Sequence, residues 1–106
     1  MHPHQLSIRE AARRIREGSL SSAELVRACL TRCSRLESRV EAWEHLDAGG
    51  AMVQAEELDS TRAARGVTGP LPGIALGIKD IIDVAGLPTT MGSAVYAGNV
   101  ARPTAP

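Results

Sequence analysis

The chain has 106 residues, with 12 basic and 12 acidic side chains and a formal net charge of zero; that balance, with no Lys/Arg cluster, argues against a direct nucleic-acid surface, which carries a basic patch. No stretch approaches the ~20 apolar residues of a bilayer span, and Met1-His2-Pro3-His4-Gln5 is not the start of a signal peptide, so a cytoplasmic protein is expected. Two cysteines are too few for a disulfide-stapled secreted scaffold, and with no Phe, one Trp and one Tyr any core must rest on Leu, Ile, Val and Ala.

His2 and His4 flank a proline in what reads as a mobile tail. The first helix then opens on a capping box, Ser7 with Glu10 three residues on. Leu6 precedes the cap and can staple onto Ala11. Ile8, Ala11, Ala12 and Ile15 share one helical face, and Gly18 can end the helix in the left-handed conformation. The second helix repeats the device, with Ser21 and Glu24 as the box and Leu20 and Leu25 as the staple. Val26, Cys29, Leu30, Cys33 and Leu36 continue its apolar face. So short a turn predicts that the two helices pack antiparallel. Between Val40 and Leu46 the period changes: Val40, Ala42 and Leu46 alternate with charged or polar neighbours, Trp43 apart, which predicts a short strand. Asp47 can cap a third helix reaching about Ala64, with Ala51, Met52, Ala55 and Leu58 inward.

After Gly66 the composition shifts. Gly and Pro become frequent and charge nearly vanishes. Gly69-Pro70-Leu71-Pro72-Gly73 is a rigid, turn-forming approach, and Ile74 to Lys79 reads as a strand. Pro103-Thr104-Ala105-Pro106 reads as loop. In a strand, Ile74, Leu76 and Ile78 face one side, and Ala75, Gly77 and Lys79 the other. The second side is lined by small residues that let another backbone approach, and it ends in the only lysine of the chain. Spacing alone leaves two readings. Lys79 is a strand-end lysine with its head in water, or it is a buried amine whose lost solvation lowers its pKa and frees it as a base.

The stretch Gly69-Pro70-Leu71-Pro72-Gly73-Ile74-Ala75-Leu76-Gly77-Ile78-Lys79-Asp80-Ile81-Ile82-Asp83-Val84-Ala85-Gly86-Leu87-Pro88-Thr89-Thr90-Met91-Gly92-Ser93 resembles, nearly residue for residue, the first block of the amidase-signature family. The capped helices, the short strand and the Ala/Glu/Arg-rich third helix also come in that family's order. The resemblance implies an α/β fold: the N-terminal part of the amidase-signature fold, helices packed on a mixed sheet, with only its first strands present. Residues 1–106 would form a partial domain, mainly helical over 1–66, with the lysine-bearing strand and loop over 67–106.

The resemblance also implies a Ser–cis-Ser–Lys mechanism. Lys79 matches the catalytic lysine, which acts through a bridging serine to deprotonate a nucleophilic serine that attacks an amide carbonyl. Both serines lie downstream in a Gly/Ser-rich region that these 106 residues do not contain. The expectation is therefore an amidase-type hydrolase of carbon–nitrogen bonds, represented by a fragment inactive alone, acting on a small-molecule amide without cofactor or metal. Two alternatives stand beside it. One is a split or truncated interaction module that pairs with a serine-bearing partner. The other is one component of a glutamine-dependent tRNA amidotransferase.

Other residues read more plainly. Ser21 and Ser22 are capping residues. Thr89, Thr90 and Ser93 satisfy turn backbone or line a pocket. Cys29 and Cys33, at i and i+4, suit two ligands on one ion, but structural zinc takes four and no others lie near. The pair reads as small buried residues. His45 reads as an edge-exposed imidazole. Asp80 and Asp83 hydrogen-bond backbone at the strand's end or act as ionic partners of Lys79. An anionic partner would oppose the base role.

Overall fold

A computed structural model describes residues 2–66 and 69–100. Three helices carry the fold: α1 over Ile8–Glu17, α2 over Ser22–Val40 and α3 over Ala48–Arg65. Short 3-10 turns occupy Pro3–Gln5 and Ala94–Tyr96. The chain divides into two compact units. The first comprises the residues up to Glu41 together with Asp47–Ala75; the second comprises Ala42–Leu46 and the described residues from Leu76 on.

The helix boundaries follow from local chemistry. Ser7 Oγ accepts the Glu10 N–H at 3.1 Å, and Ser21 Oγ accepts the Glu24 N–H at 3.0 Å. At α1 the Glu10 carboxylate does not face back to the cap. Arg13 and Arg14, one turn on, bind it instead, and their hydrogen bonds hold its carboxyl down at about 2. Gly18 closes α1 with φ 83°, and its N–H and those of Ser19 and Leu20 turn back onto the last carbonyls. This is the glycine-terminated ending that the free carbonyls of a helix require. At α3, Asp47 accepts the Gly50 N–H at 3.1 Å.

Both staples form. Leu6 packs on the buried cluster of Ala11, Ile15, Leu20 and Leu25, which Cys29 and Ile74 also join. Leu20, in the turn that joins α1 to α2, is buried. The helix that packs broadly on α2 is α3, together with the Pro3–Gln5 turn. Ala11 and Ile15 of α1 meet Leu25 of α2 in this cluster, with Cys29 packed against it. Along α3, Ala55 is buried and Ala51 and Met52 half-buried, but Leu58 is exposed. The tail expected around His2 and His4 is ordered: Pro3 starts a 3-10 turn, and the two imidazoles stack at 5.6 Å between centroids.

The N-terminus of α2 has a second anchor. Asp59 of α3 receives the Ser22 N–H at 2.8 Å on one carboxylate oxygen and the Ala23 N–H at 3.0 Å on the other. These are two of the donors that a helix start leaves unpaired, and the carboxylate also meets the positive end of the helix dipole. Ser22, expected as a capping residue, donates its hydroxyl to the Gly73 carbonyl at 2.8 Å. Gly73 has φ 66°, and a Cβ there would lie 2.7 Å from Ser22 Cβ, so only glycine lets this loop close onto the helix. Arg16 adds a bond to the Pro70 carbonyl at 2.7 Å.

Both predicted strands are corrected. Val40 is the last residue of α2, which Glu41 closes in the left-handed region at φ 50°. The alternation between Val40 and Leu46 thus straddles a helix end. Ile74 to Lys79 joins no ladder; the one bridge among the described residues pairs Pro88 with Val100, antiparallel. A strand exists only through a neighbour that takes its N–H and C=O groups, and no described segment serves here. The α/β fold class and its mixed sheet are therefore not realised among the described residues, which are helical with irregular segments. The loop expected over Pro103–Pro106 lies outside the described residues.

Candidate functional site

Lys79 lies in the second unit, in the irregular run after Leu76, with its side chain exposed. Its carbonyl accepts the Ile82 N–H at 3.1 Å, so the chain turns immediately after it. Two residues earlier, Gly77 admits a close neighbour: a Cβ built there would lie 3.1 Å from the Trp43 ring. The small residues next to Lys79 thus permit close approach, as their size predicts. What approaches is an indole edge and not a second backbone.

Asp80 organises the turn that follows. One carboxylate oxygen accepts the Thr90 N–H at 2.8 Å, and the other accepts a short hydrogen bond from Thr90 Oγ1. The Asp80 carbonyl accepts the Met91 N–H at 2.9 Å. Thr90's two donations, followed by the Gly92 N–H, hold the Asp80 carboxyl below its ordinary range. Of the two readings left open for Asp80, hydrogen bonding to backbone is the one observed. No ion pair joins it to Lys79 among the described residues.

The bound turn is unusual. Met91 and Gly92 take successive positive φ values of 52° and 71°. Thr89 is 1% and Thr90 7% exposed, although most of their neighbours are open to solvent. Thr89 exchanges bonds with Asn99: its N–H donates to the Asn99 carbonyl at 2.8 Å, and the Asn99 amide nitrogen donates to the Thr89 carbonyl at 3.2 Å. The Thr89 hydroxyl itself is buried without a partner among the described residues. Ser93 caps the next turn by accepting the Val95 N–H at 3.3 Å. Ser93 thus satisfies turn backbone as expected, whereas the Thr90 hydroxyl bonds the Asp80 carboxylate and Thr89 bonds through its main chain. The burial of both threonines is not legible in the sequence; the Thr-Thr pair gives no period.

Cys29 and Cys33 are half-buried free thiols on α2, and burial, then the neighbouring thiol, pushes Cys29 up. No His, Cys, Asp and Glu residues cluster as a metal site among the described residues. No helix there is long and apolar enough to cross a membrane.

The profile of the family described as Amidase matches residues 24–105. The chain is 43% identical over 93 residues to a glutamyl-tRNA(Gln) amidotransferase subunit from Desulfotalea psychrophila, covering 88% of this chain and 19% of that protein. It is 44% identical over 90 residues to the protein of the same name from Roseiflexus sp. (strain RS-1), covering 85% and 18%. It is 38% identical over 95 residues to that of Chloroflexus aggregans, covering 90% and 20%. The chain thus spans about a fifth of the length of these relatives. With a family profile matched over most of its length, from α2 through the turn that Asp80 holds, the chain belongs to the amidase family.

Proposed function

We propose that this chain supplies the lysine of an amidase that hydrolyses carbon–nitrogen bonds by a Ser–cis-Ser–Lys mechanism, with Lys79 as the base. The observation that carries the reading is the placement of Lys79, the only lysine, inside the matched family segment and without an anionic partner among the described residues. A base must be able to exist as a neutral amine, and an adjacent carboxylate salt bridge would oppose that. Here the carboxylate next in sequence, that of Asp80, is occupied by Thr90.

In this reading the Lys79 amine takes a proton from a bridging serine, which takes one from the nucleophilic serine. The nucleophile adds to the amide carbonyl, the carbon–nitrogen bond breaks, and the leaving amine departs with a proton. Water then releases the acid and restores the serine. Backbone N–H groups stabilise the oxyanion. Both serines, and the mixed sheet that would take Ile74–Lys79 as a strand, would come from a serine-bearing remainder. The substrate is a small-molecule amide, and the setting is cytoplasmic.

A second reading is favoured by the names of the relatives: a part of one component of a glutamine-dependent tRNA amidotransferase. It shares the same lysine chemistry and differs in the acceptor of the released ammonia.

The test combines the 106-residue chain with a serine-bearing amidase remainder and measures amide hydrolysis and glutamine-dependent transfer. Activity is expected only from the combination. Lys79→Ala and Lys79→Arg should each lower kcat at least ~100-fold, the lower end of general acid–base contributions. Hydrolysis by the chain alone, lost on Lys79→Ala, would show that it needs no partner. Full activity of the Lys79→Ala combination would remove Lys79 from the mechanism.

A further inference from the structure

We propose that Asp80 is a positioning residue for Lys79: it binds the Thr90–Met91 turn through both carboxylate oxygens and its carbonyl, and so fixes the backbone that carries the lysine without pairing with the amine. The proposal rests on the reading of Lys79 as the base.

Three acceptor atoms of one residue hold two consecutive residues, the first of them ten positions downstream. Their target is the turn over Thr90–Ser93, which the Ser93 N–H closes on the Thr90 carbonyl at 2.9 Å. A left-handed methionine followed by a left-handed glycine is a costly backbone, about 1–3 kcal/mol for the non-glycine member, and such conformations persist only where surrounding bonds impose them. The Asp80 clamp adds to the turn's own closing bond and ties it to the lysine-bearing run. Thr90, which it holds, is buried beside Thr89.

The same clamp settles what Asp80 does not do. Its oxygens accept from Thr90, so the carboxylate is directed at the turn. An anion holding two donors has no proton to deliver at neutral pH. Asp80 is thereby removed both as the counter-ion of Lys79 and as a general acid. The lysine keeps a fixed backbone and an amine free of this carboxylate.

The experiment uses the 15N-labelled 106-residue chain. It reads amide hydrogen exchange at Thr90 and Met91 and the heteronuclear NOE of the Lys79 amide. Variants are Asp80→Asn, Thr90→Val and, as the conservative control, Thr90→Ser. In the parent chain the Thr90 and Met91 amides should exchange slowly and the Lys79 NOE should be that of ordered backbone. Asp80→Asn and Thr90→Val should speed exchange at both amides at least tenfold and lower the Lys79 NOE, while Thr90→Ser restores parent values. The Ser22 and Ala23 amides, held by Asp59 in the other unit, should not change in any variant, which separates a local clamp from general unfolding. A Lys79 NOE unchanged when the Thr90 amide is released would overturn the proposal, as would parent-like exchange in Asp80→Asn. These readouts need no turnover. An active Lys79→Ala combination would fail the base reading while leaving the clamp measurable.

Discussion

Thr89 poses the sharpest question at the scale of a single residue. Its hydroxyl is buried and unpartnered among the described residues, while its main-chain N–H and C=O are both satisfied by Asn99. An unsatisfied buried hydroxyl costs about 1–3 kcal/mol, and replacing it by an apolar group of the same shape recovers part of that. Thr89→Val keeps the branched side chain and exchanges only the hydroxyl for a methyl. The expected outcome is a local gain of about 1 kcal/mol, equivalent to amide exchange roughly fivefold slower at Thr90 and Asn99. Faster exchange in the valine variant would mean that the hydroxyl is bonded in solution. Should Thr89→Val stabilise the turn yet depress hydrolysis by the serine-complemented protein, the hydroxyl would be a group kept for the site at a cost in stability.

At the scale of the element, α2 shows how tertiary contacts add to a local signal. Ser21 caps it from its own sequence, and Asp59 caps it from α3 with two charge-assisted bonds. Loss of the serine cap costs about 1 kcal/mol. Loss of Asp59 removes two bonds from a carboxylate at a helix N-terminus, about 2 kcal/mol or more. Urea denaturation followed by far-ultraviolet circular dichroism should therefore rank Asp59→Ala as more destabilising than Ser21→Ala. The reverse order would mean that the tertiary cap contributes little. The contrast also explains what a sequence can reveal. Ser7, Ser21 and Asp47 announce helices because a cap and its target lie three residues apart. Asp59 reaching Ser22 and Asp80 reaching Thr90 leave no such spacing. The lysine-bearing run resembles a strand in sequence for a related reason: alternation of Ile74, Leu76 and Ile78 reports faces, and a ladder needs a partner that no described segment provides. The end of α2 is hidden because Glu41, not glycine, takes the left-handed position. The role proposed for Lys79 rests on the matched block alone, since its spacing is that of any strand-end lysine.

At the scale of the whole molecule, apolar burial is divided unevenly. Ala11, Ala12, Ile15, Leu20, Leu25, Val26 and Ala55, the buried hydrophobic residues among those described, all belong to the unit that holds the three helices. In the other unit the buried described residues are Thr89 and Thr90, while Leu76 is 78% exposed and Ile78, Ile81 and Ile82 are exposed as well. A unit that buries hydrogen-bonded turns and leaves its aliphatic side chains in water gains little from the hydrophobic effect, the main driving term of folding. Ile15→Ala, which removes a side chain 2% exposed, should therefore cost about 2–5 kcal/mol in urea denaturation of the 106-residue chain. Leu76→Ala should change it by less than about 0.5 kcal/mol, as exposed substitutions do. Joined to a serine-bearing remainder, the ranking should narrow, because a completed sheet would bury the Leu76 face and make its loss a core deletion. A Leu76→Ala variant as costly as Ile15→Ala in the chain alone would show that the lysine-bearing run already has its own core. One that stays neutral in the joined protein would show that the remainder docks elsewhere.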